Sequence, residues 1–206
     1  MDMLKERAEV FNRLLFYKYN FVLGRKGVLT NICLSFDKVH FHHLIGLQRL
    51  TDMPQLRRDR TKIFDQILNG ELTYAHITGS SLFDTVEKRF LSFVYIEEFL
   101  DSNELIFRYN RKVNPSSKMK AEYILKNEIN DLVAYVCIDK SNGIDEYFCR
   151  SFFPKEDINY TVGHTSYTLL YKEKVNILTQ AKVVQFDKLS SKDDDGSCTD
   201  NVIDNN

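Results

Sequence analysis

The sequence predicts an α+β domain, one helical layer packed on one sheet, and three observations lead there. Apolar residues recur at helical spacing through roughly the first hundred positions. Short β-branched or aromatic runs separated by turn residues fill the region after Ser102-Asn103. Helices first and strands afterwards is the pattern of segregated α+β architectures. At 206 residues, with 43% apolar residues, the chain is long enough for one domain with its own core.

From Asp2 to about Tyr19, the positions Leu4, Ala8, Phe11, Leu15 and Tyr19 predict a packing helix. Residues 20–30, with Gly24 and Gly27 among basic residues, read as a loop. Asn31 to Phe36 alternates as a strand, with Ile32, Leu34 and Phe36 on one side. At Asp37 the period changes to helical, with Asp37 in the N-cap position and an end near Gly46. Pro54 breaks the next segment. Leu56–Leu68 then predicts a helix closed by Asn69-Gly70, and Leu82–Leu100 a third helical region. Five strand-like runs follow: 104–109, 121–125, 132–139, 146–153 and 167–172. Ser141-Asn142-Gly143 is the strongest hairpin turn among the signals between them.

The net charge of −1 argues against a broad nucleic-acid footprint, but it is unevenly placed. Residues 187–206 hold six Asp and two Lys, so the body carries 26 basic against 23 acidic residues. The expected organisation is a domain over residues 1–186 and an acidic, disordered tail over 187–206. Four cysteines without CxxC spacing indicate a reduced protein with no disulfide framework. The charged amphipathic N-terminus does not read as a secretory signal, and no apolar run is long enough to cross a bilayer. A cytoplasmic protein with no membrane partner is the expectation.

Three of the five histidines, His40, His42 and His43, lie on the first turns of the Asp37 helix. Imidazole exchanges protons near neutral pH, so this cluster is the first candidate for chemistry. His40 and His43 share a face, with His42 pointing elsewhere. Two ligands do not make a metal site, and no zinc-type frame accompanies them, so no metal and no cofactor is expected. The plainer reading is that these rings are hydrogen-bonded and partly buried. In the run Tyr147 to Pro154, strand alternation puts Tyr147, Cys149, Ser151 and Phe153 on one face and Phe148, Arg150 and Phe152 on the other. Ser151 or Arg150 could hold a phosphate oxygen, and Arg150 could equally be a solvated cross-strand partner. His164, after Gly163 in a turn, is a candidate acid or base, or simply an exposed turn residue. No dinucleotide, P-loop, nucleophile-elbow or kinase motif is present, which removes those enzyme classes.

Three pieces together carry a family resemblance. They are F-x-H-L-x-G-L (Phe41, His43, Leu44, Gly46, Leu47), S-F-F-P (Ser151 to Pro154) and Y-T-L-L-Y-K (Tyr167 to Lys172). Over roughly residues 1–180 the chain resembles the phage-encoded branch of the barnase–EndoU–colicin E5/D–RelE superfamily, in its fourth phage-type group. The resemblance implies a helical layer on a four- to five-stranded antiparallel sheet and a metal-independent endoribonuclease that cleaves RNA through the ribose 2′-hydroxyl. It casts His43 as base or acid, Arg150 or Lys172 as phosphate clamp, and Ser151 as donor to a phosphate oxygen; His164 falls outside the motif. The implied partners are RNA, tRNA included, and, for a phage or mobile-element toxin, an inhibitor or immunity protein. A catalytically inactive RNA- or protein-binding module on the same fold is the alternative.

Overall fold

A computed structural model describes residues 2–102, 105–113, 115, 117, 119–141 and 146–190. Helix α1 (Met3–Leu14) begins where Asp2 accepts hydrogen bonds from the Leu4 and Lys5 amides. It buries Leu4, Ala8, Phe11 and Leu14 completely. It stops five residues earlier than its apolar spacing suggests, because Tyr17–Arg25 is a strand, β1. The segment expected to be a loop is therefore half of a hairpin with β2 (Val28–Ser35). Lys26 and Gly27, at φ 48° and 77°, form a two-residue turn whose left-handed backbone matches the twist of the flanking strands.

The helical layer continues with α2 (Lys38–Leu44), α3 (Arg60–Leu68), α4 (Tyr74–Thr78), α5 (Glu87–Ser92) and α6 (Ile96–Asp101). Asp37 caps α2 as expected, and Asn69 with Gly70 (φ 78°) closes α3. The predicted third helical region is α5 and α6 joined through a 3-10 turn at Phe93–Tyr95. Phe11 is the hub of this layer, with the rings of Phe36, Phe41, Phe64 and Phe93 between 5.6 and 6.3 Å away. Among the described residues no helix is long and apolar enough to cross a membrane.

The remaining strands are β3 (Leu105–Arg108), β4 (Tyr123–Ile129), β5 (Leu132–Lys140), β6 (Tyr147–Pro154), β7 (Thr165–Asn176) and β8 (Lys182–Asp187). Here the expected four- to five-stranded antiparallel sheet gives way to a larger one. Eight strands among the described residues run in the order β1-β2-β6-β5-β4-β3-β7-β8. Because β1 also pairs with β7, seven of them close into a barrel and β8 hangs on β7. The sheet is mixed: β2 runs parallel to β6, while the meander β3-β4-β5-β6 is antiparallel as predicted. Closure removes free edges that an open five-stranded sheet would expose. Asn142 and Gly143 of the expected hairpin turn lie outside the described residues, as does the acidic tail beyond Ser190. Lys140 and Tyr147 pair across that connection.

Helices α2 and α5 both pack on β6, and Phe93 and Phe99 seat against Phe152 at 5.7 Å. That three-element junction positions the candidate site.

Candidate active site at the junction of two helices and a bulged strand

The three clustered histidines do three different things. His40 completes a capping box, its Nδ1 accepting from the Asp37 amide at 3.2 Å, and its ring stacks on Phe148 at 4.9 Å. His42 is 5% exposed, and its Nε2 donates to the Leu56 carbonyl at 2.7 Å. His43 faces a cleft of about 780 Å³. His40 and His43 thus both turn toward β6, as their spacing predicts.

The backbone after His43 makes the cleft. Gly46 ends α2 at φ 97°, a region that side chains disfavour. A Cβ there would lie 2.9 Å from Val86 and 3.4 Å from the Arg89 side chain. The glycine therefore lets α2 and α5 approach closely enough for His43 and Arg89 to line one cavity. Gly46→Ala is expected to cost about 1–3 kcal/mol from backbone strain plus overpacking, measured by urea unfolding. The 3-10 turn Leu47–Arg49 then carries Gln48 and Arg49 to the same wall.

Strand β6 supplies the floor through a β-bulge. Cys137 pairs with Ser151 and Ile138 with Cys149, leaving Arg150 as the extra residue. The bulge reverses the alternation expected for the strand. Tyr147, Cys149 and Phe152 enter the main core, while Ser151 and Phe153 line the cleft. A smaller cluster of Ile124, Tyr135 and Cys137, with Met119, Phe153 and Tyr160 against it, braces that wall.

The cleft lining carries Arg49, Lys88 and Arg89 against Asp84, Glu156 and Asp157, and of these Arg89 is the buried one. Arg89 is 8% exposed, and among the described residues no carboxylate forms an ion pair with it. Its guanidinium lies 5.8 Å from the Phe153 ring. Burial and the neighbouring Arg49 charge lower its pKa to about 10, still cationic at neutral pH. Burial, followed by the charges of Arg89, Arg60 and Arg150, lowers the His43 imidazole to about 4. His43 is thus neutral at pH 7, in the field of the buried, cationic Arg89.

This arrangement also sets a pH dependence of stability. The unfolded chain protonates His43 below its ordinary value of 6.5, whereas the folded chain resists until about 4. The unfolded state therefore binds more protons across that window, so folding weakens as pH falls from 6.5 to 4. His40 and His42 are shifted in the same direction by burial. Calorimetry of the wild type should show a falling unfolding temperature over that range, with a shallower fall in His43→Ala.

Of the residues expected to carry chemistry, His43 and Ser151 meet in the cleft. The other three lie elsewhere. Arg150 donates from Nε to Asp139 at 2.7 Å and covers the Phe148 ring, reaching His43 only through its charge. Lys172 is 1% exposed, bonded to the Leu100 carbonyl at the end of α6 and set over Tyr19 and Phe21. The closing strand β1 pairs Phe21 with Lys172, which is why the lysine is interior. Burial lowers its pKa to about 7. His164 accepts from the Asn110 amide at 3.2 Å and packs on Tyr109, outside the cleft lining. Among the described residues no group of His, Cys, Asp and Glu is arranged to hold a metal ion.

Arg89, Arg49 and Gln48 were not singled out from sequence. The signal for Arg89 was present: it sits in the stripe Val86, Phe90, Phe93, where an arginine one turn after Val86 has to be buried. Set beside known proteins, the chain matches no curated protein and no solved structure. Residues 3–189, from the start of α1 to just beyond β8, match the family described as phage-Barnase-EndoU-ColicinE5/D-RelE like nuclease4. The chain belongs to that phage-type family of nucleases.

Proposed function

We propose that the protein is an endoribonuclease that cleaves RNA by attack of the ribose 2′-hydroxyl on the adjacent phosphorus, with His43 as general base. The observation that carries this reading is the neutral His43 imidazole in one cleft with the unpaired, buried Arg89 and with Ser151. His43 removes the 2′-hydroxyl proton, and the new oxygen–phosphorus bond forms as the bond to the 5′-oxygen breaks. Arg89 carries the charge that grows on the non-bridging oxygens, in a position where water is scarce and its field is strong. Ser151 donates its hydroxyl to one of those oxygens. The departing 5′-oxygen takes a proton from solvent at the exposed rim, where Arg49, Lys88 and Glu156 lie.

A phosphate entering the cleft raises the His43 pKa, so the imidazole becomes a stronger base once substrate is bound. The roles first expected of Arg150 and Lys172 pass to Arg89, with Arg150 acting on His43 through space. Incubation with total RNA, tRNA and sequence-matched DNA in EDTA tests the reading. RNA should be cut with no loss of rate in the chelator, and DNA, which lacks the nucleophile, should stay intact. Cleavage of DNA, or of neither polymer, would reject it.

A further inference from the structure

The mechanism leaves unused a run of exposed cations beside the site. From the 3-10 turn Pro54–Arg57 into the start of α3, the side chains of Arg57, Arg58, Arg60 and Lys62 all face solvent. Elsewhere Arg13, Lys38, Lys88, Arg108, Arg150 and Lys174 each pair with a carboxylate. Among the described residues, none of the four cations between 57 and 62 forms an ion pair. The acidic residues closest in the chain are engaged in other ways. Asp52 accepts from Ser80 and Ser81, Asp59 caps α3 through the Thr61 and Lys62 amides, and Asp65 pairs with Lys38.

Three contacts tie this run to the cleft. The buried His42, next to His43 on α2, donates to the Leu56 carbonyl at 2.7 Å and fastens the turn to that helix. The Arg57 guanidinium donates to the Thr51 carbonyl, two residues beyond Arg49, which lines the cleft. Burial is the main cause of the lowered His40, His42 and His43 values, and the Arg60 charge adds to it at all three. Exposed cations without counter-charges, fixed at the mouth of a cleft, are the electrostatic footprint of a polyanion.

We propose that Arg57, Arg58, Arg60 and Lys62 form a track for the phosphates that flank the scissile one, so that the substrate is a single-stranded RNA longer than the cleft admits. These side chains meet phosphate rather than base edges, so the track adds affinity without sequence preference. The strand is single because in-line attack needs a backbone free to bend at the scissile step. The proposal rests on the ribonuclease reading for the choice of polymer and the point of cleavage, and it adds where the rest of the strand lies.

Fluorescence anisotropy on the full chain tests the track with a 2′-O-methyl RNA dodecamer, which keeps the phosphates but lacks the nucleophile. Cleavage of unmodified dodecamer and dinucleotide is assayed in parallel. The combined variant Arg57→Gln, Arg58→Gln and Lys62→Gln leaves Arg60 in place, because its charge acts on His43. It should bind the dodecamer about ten- to a hundredfold more weakly at low salt. The slope of log affinity against log salt should shrink by about two, from about 0.7 per lost phosphate contact. Dinucleotide cleavage, which does not reach the track, should be unchanged, and Arg57→Lys with Arg58→Lys should keep the affinity. Lys26→Gln with Lys182→Gln, on the β1–β2 turn and β8, should leave binding unaffected, and circular dichroism checks each fold. Track-dependent binding without cleavage of unmodified RNA would keep the track and remove the ribonuclease reading. Unweakened binding by the triple variant, an equal loss in the Lys26 and Lys182 variant, tighter binding of a duplex, or no binding by the wild type would overturn the track.

Discussion

His43→Ala is expected to lower RNA cleavage by about a hundred- to ten-thousand-fold while leaving the protein folded. Among the described residues the ring makes no hydrogen bond that holds α2 in place; the Asp37 cap, the His40 capping box and the buried His42 do that. Its removal also takes away an imidazole that burial disfavours in its charged form, so stability below pH 6.5 should improve slightly. Single-turnover cleavage of an RNA oligonucleotide and a circular dichroism spectrum suffice to measure this. A folded variant that cleaves at the wild-type rate would remove His43 from the chemistry.

Arg89→Met should separate rate from stability in the opposite sense to an ordinary core substitution. Cleavage should fall by about a hundred- to a thousand-fold, the loss typical when a donor to developing charge is deleted. Thermal stability should hold or rise, because an unpaired buried guanidinium is exchanged for an apolar side chain of similar length. The His43 imidazole should move upward from about 4 toward 6.5, since the Arg89 charge is the largest cause of its depression after burial. Nuclear magnetic resonance of the His43 ring protons reads that titration directly. Arg89→Lys should restore the charge but only part of the rate, because an ammonium lacks the planar fork that spans two phosphate oxygens.

How much of this was legible in the residues depended on how local each signal was. The α2 helix, its Asp37 cap and the division of labour between His43 and His42 follow from spacing along one helix. The meander strands follow from alternation and turn residues. The hairpin of β1 and β2 was also written locally, in Tyr19, Phe21 and Leu23 and the Lys26-Gly27 turn. It was masked because Tyr19 also continues the spacing of α1. Barrel closure was not legible. It depends on β1 pairing with β7, strands far apart in sequence, and no window of residues records a partner at that distance. Lys172 shows the consequence: in an open sheet it could end a strand beside a cleft, but closure turns it toward Phe21 and the core.

The same distinction governs the cleft. Ser151 reaches it because of a bulge, and a strict two-residue period has no way to express the extra residue at Arg150. Arg89 reaches it because a core-facing stripe contains a cation, and Gly46 permits the helix approach that leaves this cation beside His43. The family match covers nearly the whole barrel and helical layer but does not say which side chains react. Those assignments rest on burial, charge and the shared cavity.

The most direct measurement is the chemical identity of the ends that cleavage leaves on a defined RNA oligonucleotide, read by mass spectrometry. Attack by the 2′-hydroxyl predicts a 2′,3′-cyclic phosphate on one fragment and a free 5′-hydroxyl on the other, with both lost in His43→Ala. Fragments carrying a 5′-phosphate and a free 3′-hydroxyl would mean that water attacks the phosphorus instead, and would contradict the role given to His43.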